Sequence, residues 1–194
     1  GIEVASLGVQ VHGGMGFVEE TGAAQYLRDV RITTIYEGTT GIQAMDLVGR
    51  KIAREGGATA RAWLGSVKAV ERELSQSASE ELKALGARLE AGIQAVADGV
   101  DYIVATKDPR ASFAGAVPFL KLMGVVAGGW QMGRAALAAE KRLASGDRPF
   151  LQAKIATARF YGEHVLVQAP ALRDTVVRGA SAVMAVPEDQ FLAA

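Results

Sequence analysis

Apolar residues recur at intervals of three and four over most of the chain. The cleanest run is Leu82, Leu85, Leu89, Ile93, Val96, Val100 and Ile103, a single stripe that predicts one helix from Glu80 to Thr106 facing a core. Ser79 stands where a cap belongs, and Glu80 and Glu81 complement the positive end of the helix dipole. Lys107-Asp108-Pro109 closes the run, because proline lacks an amide proton and clashes with the preceding turn. Phe119, Leu120, Met123, Val126, Ala127, Trp130 and Leu137 predict a second long helix over 111–145, with Pro118 as a kink or a late start. Leu151, Ile155, Ala158, Val165 and Leu166 predict a third over 150–169, interrupted at Pro170 before a shorter helical stretch towards Met184. A further helix is expected over 59–74, and the tail after Pro187 is expected to fray. Helices joined by such short connections pack as antiparallel neighbours, so the expected fold class is all-α, an antiparallel helical bundle.

Before Thr59 the texture changes. Residues 1–56 hold a Gly-rich turn, a β-branched stretch and two shorter helical patterns, one of them over 41–54. A domain boundary is expected near Glu55-Gly56-Gly57, separating 1–56 from a helical domain over 57–194. The chain opens on Gly1, and Ile2, Val4, Ala5, Leu7 and Val9 read as the middle of an amphipathic segment, so residues upstream of Gly1 are expected.

Composition narrows the function classes. Lys+Arg 21 against Asp+Glu 21 gives no net field towards nucleic acid or an anionic membrane. The absence of Cys removes disulfides, thiolate metal sites and cysteine nucleophiles, and fits a cytoplasmic setting. No stretch approaches the roughly 20 apolar residues of a membrane span.

Two segments could carry chemistry. In Gln10-Val11-His12-Gly13-Gly14-Met15-Gly16-Phe17, three glycines within four positions let the backbone approach a ligand and turn amides towards it, phosphate or pyrophosphate being natural guests. The same segment also reads as a plain turn between helices, since it has neither Rossmann nor Walker spacing. In Ile32-Thr33-Thr34-Ile35-Tyr36-Glu37-Gly38-Thr39-Thr40, a carboxylate sits beside a glycine just before a helix. Either Glu37 simply complements the dipole of that helix, with Thr39 or Thr40 as its cap, or it reaches into a cleft as a general base. His12 and His164 lack metal-ligand spacing, which disfavours a metal site. Arg28, Asp29 and Arg31 suggest local ion pairs, and Trp63 and Trp130 fall in apolar helical patterns where packing is the ordinary role.

Taken together in order, QVHGGMGF, YLRDVRI and IYEGTTGIQ resemble the signature of the acyl-CoA dehydrogenase C-terminal domain over residues 1–54. The helical remainder is similar to the extra C-terminal domain of the family's larger members. The resemblance implies α,β-dehydrogenation of an acyl-CoA thioester to a trans-2-enoyl-CoA with FAD as cofactor. It implies Glu37 as the catalytic base, Gly38 as a substrate contact, and flavin contacts from Gln10, Val11, His12, Gly13 and Gly14 and from Thr39, Thr40 and Gly41. Gly41 stands where medium-chain relatives commonly carry glutamine, so only its backbone could serve. The resemblance further implies an electron-transferring flavoprotein as electron acceptor, a homo-oligomer, and upstream domains that complete the cleft, so that this stretch of chain alone is expected to be inactive and poor at holding FAD. A non-catalytic helical interaction or oligomerisation module is the competing reading, because residues 57–190 show no constellation of reactive side chains.

Overall fold

A computed structural model describes residues 1–192. Helices follow one another as α1 (Ile2–Val11), α2 (Gly14–Phe17), α3 (Ala23–Arg31), α4 (Thr40–Asp46), α5 (Ala58–Ser75), α6 (Glu80–Ala105), α7 (Pro109–Ala114), α8 (Ala116–Arg142), α9 (Arg148–His164), α10 (Ala169–Arg178) and α11 (Ala180–Val183), with no strand among the described residues. The fold is an all-α bundle. Contacts divide it into two compact units, Gly1–Gln43 and Ala44–Ala194.

In the second unit, α6 and α8 form a long antiparallel pair: Gly99 lies against Phe119, and Leu89 against Gly129 further along. On one side α5 fills the groove of this pair, packing on both helices. On the other side the run α9, Leu166–Gln168 and α10 does the same, in the direction of α6, with Arg159 paired to Glu81 and Arg173 to Asp98. The predicted stripe of α6 is the core, since Leu82, Leu85, Leu89, Ile93, Val96, Val100 and Ile103 are all buried. Small residues set the spacing: a Cβ on Gly99 would stand 3.0 Å from the Phe119 ring. Trp63 and Trp130 meet edge to face at 6.3 Å between centroids, a packing arrangement.

Proline does more than break helices here. Pro109 starts α7 instead of merely closing α6, because the Asp108 side chain accepts from the Arg110 amide and caps the new helix. Pro170 likewise sits in the first turn of α10. Proline is tolerated there, where its missing donor would have been unpaired anyway. The expected helix over 111–145 is therefore two, with the break at Gly115, and Pro118 stands early in α8. Past Pro187 the chain makes a 3-10 turn over Glu188–Leu192, and residues 193 and 194 of the expected frayed tail lie outside the described residues.

After α4 the chain widens into a π-helix over Leu47–Ala53, and the turn that follows carries Gly56 and Gly57, both at positive φ. Gly49 makes room there for Phe113, whose ring would be 3.2 Å from a Cβ. Ala44, Val48 and Ile52 are buried along this stretch. Among the described residues no helix is long and apolar enough to cross a membrane.

Candidate active site

The first unit, Gly1–Gln43, holds every residue singled out for chemistry. Its frame is a hairpin in which α1 and α3 pack antiparallel, Gly1 lying against Val30. It has little interior. No residue of α1 is buried, and Val4 (72% exposed), Val11 (85%), Phe17 (82%) and Tyr26 (74%) show their apolar faces. Two apolar clefts flank the hairpin. One of about 600 Å³ is lined by Val4, Ala5, Gly8, His12, Tyr26 and Val30, the other of about 480 Å³ by Val9, Phe17, Ala24 and Leu27. Neither is lined by Glu37 or Gly38.

Gln10 and Val11 end α1, and His12 follows as its C-cap, its Nδ1 donating to the Gly8 carbonyl at 2.9 Å. Gly13 turns the chain at φ +60, and nothing lies within 4 Å of the place a Cβ would take at Gly13 or Gly14. This open backbone suits close approach of a ligand. Gly16 acts differently, because a Cβ there would overlap the Val9 carbonyl oxygen, and its absence lets α2 fold back on α1. The three glycines thus divide into two that leave space and one that closes a contact. Sequence spacing offers no means of separating them.

The second segment is a turn, not a strand. Arg31 runs into a 3-10 turn over Ile32–Thr34, and Tyr36 still donates back to the Ile32 carbonyl. Glu37 then takes φ +58, the only residue other than glycine at positive φ among those described, followed by Gly38 at +93. A left-handed residue with a Cβ costs about 1–2 kcal/mol, and such strain persists only where neighbours hold it. Two features hold it here. The Gln43 side-chain amide donates to the Glu37 carbonyl, and a Cβ on Gly38 would stand 3.2 Å from both Gln43 Nε2 and Ile42 Cγ2. Glu37 is exposed, and among the described residues its own amide donates to no acceptor.

Thr39 precedes α4, and its carbonyl accepts the Gln43 amide at 3.0 Å, the first bond of that helix. The amides of Thr40 and Gly41, ahead of that bond, have no intrahelical partner, as at any helix start. Hydrogen bonds tie each segment to its own surroundings, His12 to Gly8 and Glu37 to Gln43, and among the described residues none joins Gln10–Gly14 to Glu37–Gly41. Arg28 pairs with Glu19 at 3.3 Å, and Gln25 donates to Asp29 at 2.6 Å, so these charges are engaged locally. His164 stacks on Phe160. No group of three His, Asp or Glu side chains converges among the described residues.

Comparison with known proteins decides the family. A family profile described as acetyl-CoA dehydrogenase C-terminal like matches residues 60–187, and one described as acyl-CoA dehydrogenase, C-terminal domain, matches residues 1–53. The chain belongs to the acyl-CoA dehydrogenase family. A 3-methylmercaptopropionyl-CoA dehydrogenase of Ruegeria pomeroyi is 54% identical over 173 residues, which are 88% of this chain and 29% of that protein. A broad-specificity linear acyl-CoA dehydrogenase of Mycobacterium tuberculosis is 30% identical over 193 residues, 94% of this chain and 32% of that protein. A butyryl-CoA dehydrogenase of Syntrophomonas wolfei is 27% identical over 192 residues, 95% of this chain and 31% of that protein. The chain therefore spans about a third of the length of these acyl-CoA dehydrogenases. Glu37, Gly38 and the Gly-rich turn all fall within the matched 1–53 segment.

Proposed function

We propose that this chain supplies the catalytic base of an FAD-dependent acyl-CoA dehydrogenase that converts an acyl-CoA thioester to its trans-2-enoyl product. The observation that carries this reading is Glu37, a carboxylate held at φ +58 beside a glycine, within the segment matched to the family's C-terminal domain. Strained backbone clusters at functional sites, and a residue that merely complements a helix dipole needs no left-handed conformation.

The residues present fit a flavin through their backbone. Gly13 and Gly14 leave open a space that a Cβ would enter, and Thr40 and Gly41 offer amides at the start of α4. A Cβ on Gly41 would meet only Thr39 Oγ1, at 3.9 Å, so a side chain is absent there by sequence and not by crowding. When bound, FAD supplies hydride-accepting chemistry. Glu37 removes the proton α to the thioester carbonyl, and that carbonyl oxygen gathers negative charge as the proton leaves. In this reading the Glu37 amide, which donates to no acceptor among the described residues, donates to that oxygen, a form of stabilisation that counts most where water is excluded. Gly38 leaves room for substrate beside the base. Residues 1–56 carry this chemistry, and 57–194 form the additional helical domain.

For the acyl group, the first choice is a short thioether thioester. The relative named for 3-methylmercaptopropionyl-CoA shares 54% identity, against 27–30% for those named for linear and butyryl substrates. An electron-transferring flavoprotein is the proposed electron acceptor. The test uses the protein extended through its upstream domains, with a panel of acyl-CoA thioesters and an artificial acceptor, enoyl-CoA formation being followed beside flavin absorbance. The reading expects a yellow protein with highest kcat/KM on 3-methylmercaptopropionyl-CoA, above butyryl-CoA. A protein that binds no flavin would refute the dehydrogenase reading, and a preference for butyryl or longer linear chains would refute the substrate assignment alone.

A further inference from the structure

We propose that Gln43 is a positioning residue that holds Glu37 in the left-handed conformation from which it works as a base. The inference rests on the reading of Glu37 as the base and deepens it.

Gln43 grips the turn twice. Its backbone amide donates to the Thr39 carbonyl at 3.0 Å and so fixes the residue in the first turn of α4, while its side-chain amide reaches back to the Glu37 carbonyl. Fixing that carbonyl fixes the plane of the peptide between Glu37 and Gly38, and with it the direction in which the Glu37 side chain leaves the backbone. The same Gln43 Nε2 stands 3.2 Å from the position of a Cβ on Gly38, so a side chain at residue 38 would crowd the clamp. Without the clamp, no other side-chain hydrogen bond among the described residues holds Glu37 at positive φ against relaxation to the favoured negative region. A carboxylate displaced by about 1 Å from its substrate can lose about a hundredfold in rate.

The experiment uses the flavin-loaded enzyme with Gln43→Met, which keeps the side-chain length and removes the donor, Gln43→Ala as a second variant, and Glu37→Gln as the reference. Flavin content, thermal midpoint, the dissociation constant for acyl-CoA and the anaerobic rate of flavin reduction are measured, and the backbone of residue 37 is read from a crystal structure of the Met variant. The expected result is flavin reduction slowed about 10- to 100-fold, with flavin content and acyl-CoA affinity within about twofold of wild type and residue 37 moved to negative φ. If Glu37→Gln is inactive while both Gln43 variants reduce flavin at the wild-type rate, Gln43 has no positioning role and the base assignment stands. If both variants lose flavin or acyl-CoA affinity in step with the rate, Gln43 belongs to binding or folding and the proposal is overturned. Full turnover by Glu37→Gln removes the base reading itself, and this inference with it.

Discussion

At the scale of single residues, the informative feature is a conformation. The pairing of Glu37 with Gly38 was legible in the sequence, because a carboxylate next to a glycine before a helix is visible as letters. The left-handed backbone of Glu37 was not, since positive φ is signalled by Gly, Asn or Asp and not by Glu. Gly38 tests this conformation from the other side. Gly38→Ala places a methyl group 3.2 Å from Gln43 and Ile42 at φ +93. It should cut the rate of flavin reduction by about tenfold or more while flavin stays bound, as read by absorbance and stopped flow. Unchanged kinetics in that variant would mean that the turn tolerates rearrangement. Gly16 reads in the sequence as the third glycine of the same turn as Gly13 and Gly14, but its neighbour is the Val9 carbonyl, a partner no local pattern announces.

At the scale of elements, most of the second unit followed from periodicity, and the exceptions lie at proline. The stripe from Leu82 to Ile103 predicted α6 almost to the residue, because burial on one face imposes spacing of three and four. Pro109 reads in the sequence as the close of α6, although Asp108 in front of it already signals the start of α7, whereas the interruption expected at Pro170 matches the break before α10. The Ser79 side chain does accept from the Leu82 amide, and Ser79→Ala should cost about 1 kcal/mol in chemical denaturation. The contact of α8 with α9 depends on a polar pair that periodicity could not reveal. Tyr161 donates to the Val125 carbonyl at 3.0 Å, and Gly128 makes space for it, since a Cβ there would overlap the hydroxyl. Burial raises the Tyr161 pKa above its ordinary value near 10. The neutral phenol is thus favoured in the folded protein, and the resulting stability is fully present below about pH 10 and lost as pH rises through the elevated pKa. Tyr161→Phe should cost about 1 kcal/mol at neutral pH by removing the second donor to the Val125 carbonyl, and should flatten the alkaline decline of the denaturation midpoint. An equally steep decline in the variant would assign it to other groups.

At the scale of the whole molecule, two kinds of structure stand in one chain. The residues from Ala44 onward enclose a continuous apolar core, with Phe119, Leu89, Leu122 and Val126 fully buried. They should fold alone: a 44–194 fragment is expected to be helical and to melt cooperatively, with Leu89→Ala lowering its stability by about 2–5 kcal/mol. A non-cooperative melt would contradict this. Residues 1–43 bury only Ala23 and Ala24 among their hydrophobic side chains, while Val4, Val11, Phe17 and Tyr26 stay open. The chain covers 29–32% of the length of its acyl-CoA dehydrogenase relatives. The proposed role of Glu37 is tested by the anaerobic bleaching of bound flavin on mixing the protein, extended through its upstream domains, with 3-methylmercaptopropionyl-CoA, wild type beside Glu37→Gln. The expected result is rapid bleaching of the wild type, and a yellow mutant that bleaches about a thousandfold more slowly or not at all. Bleaching of Glu37→Gln at the wild-type rate would show that Glu37 is not the base.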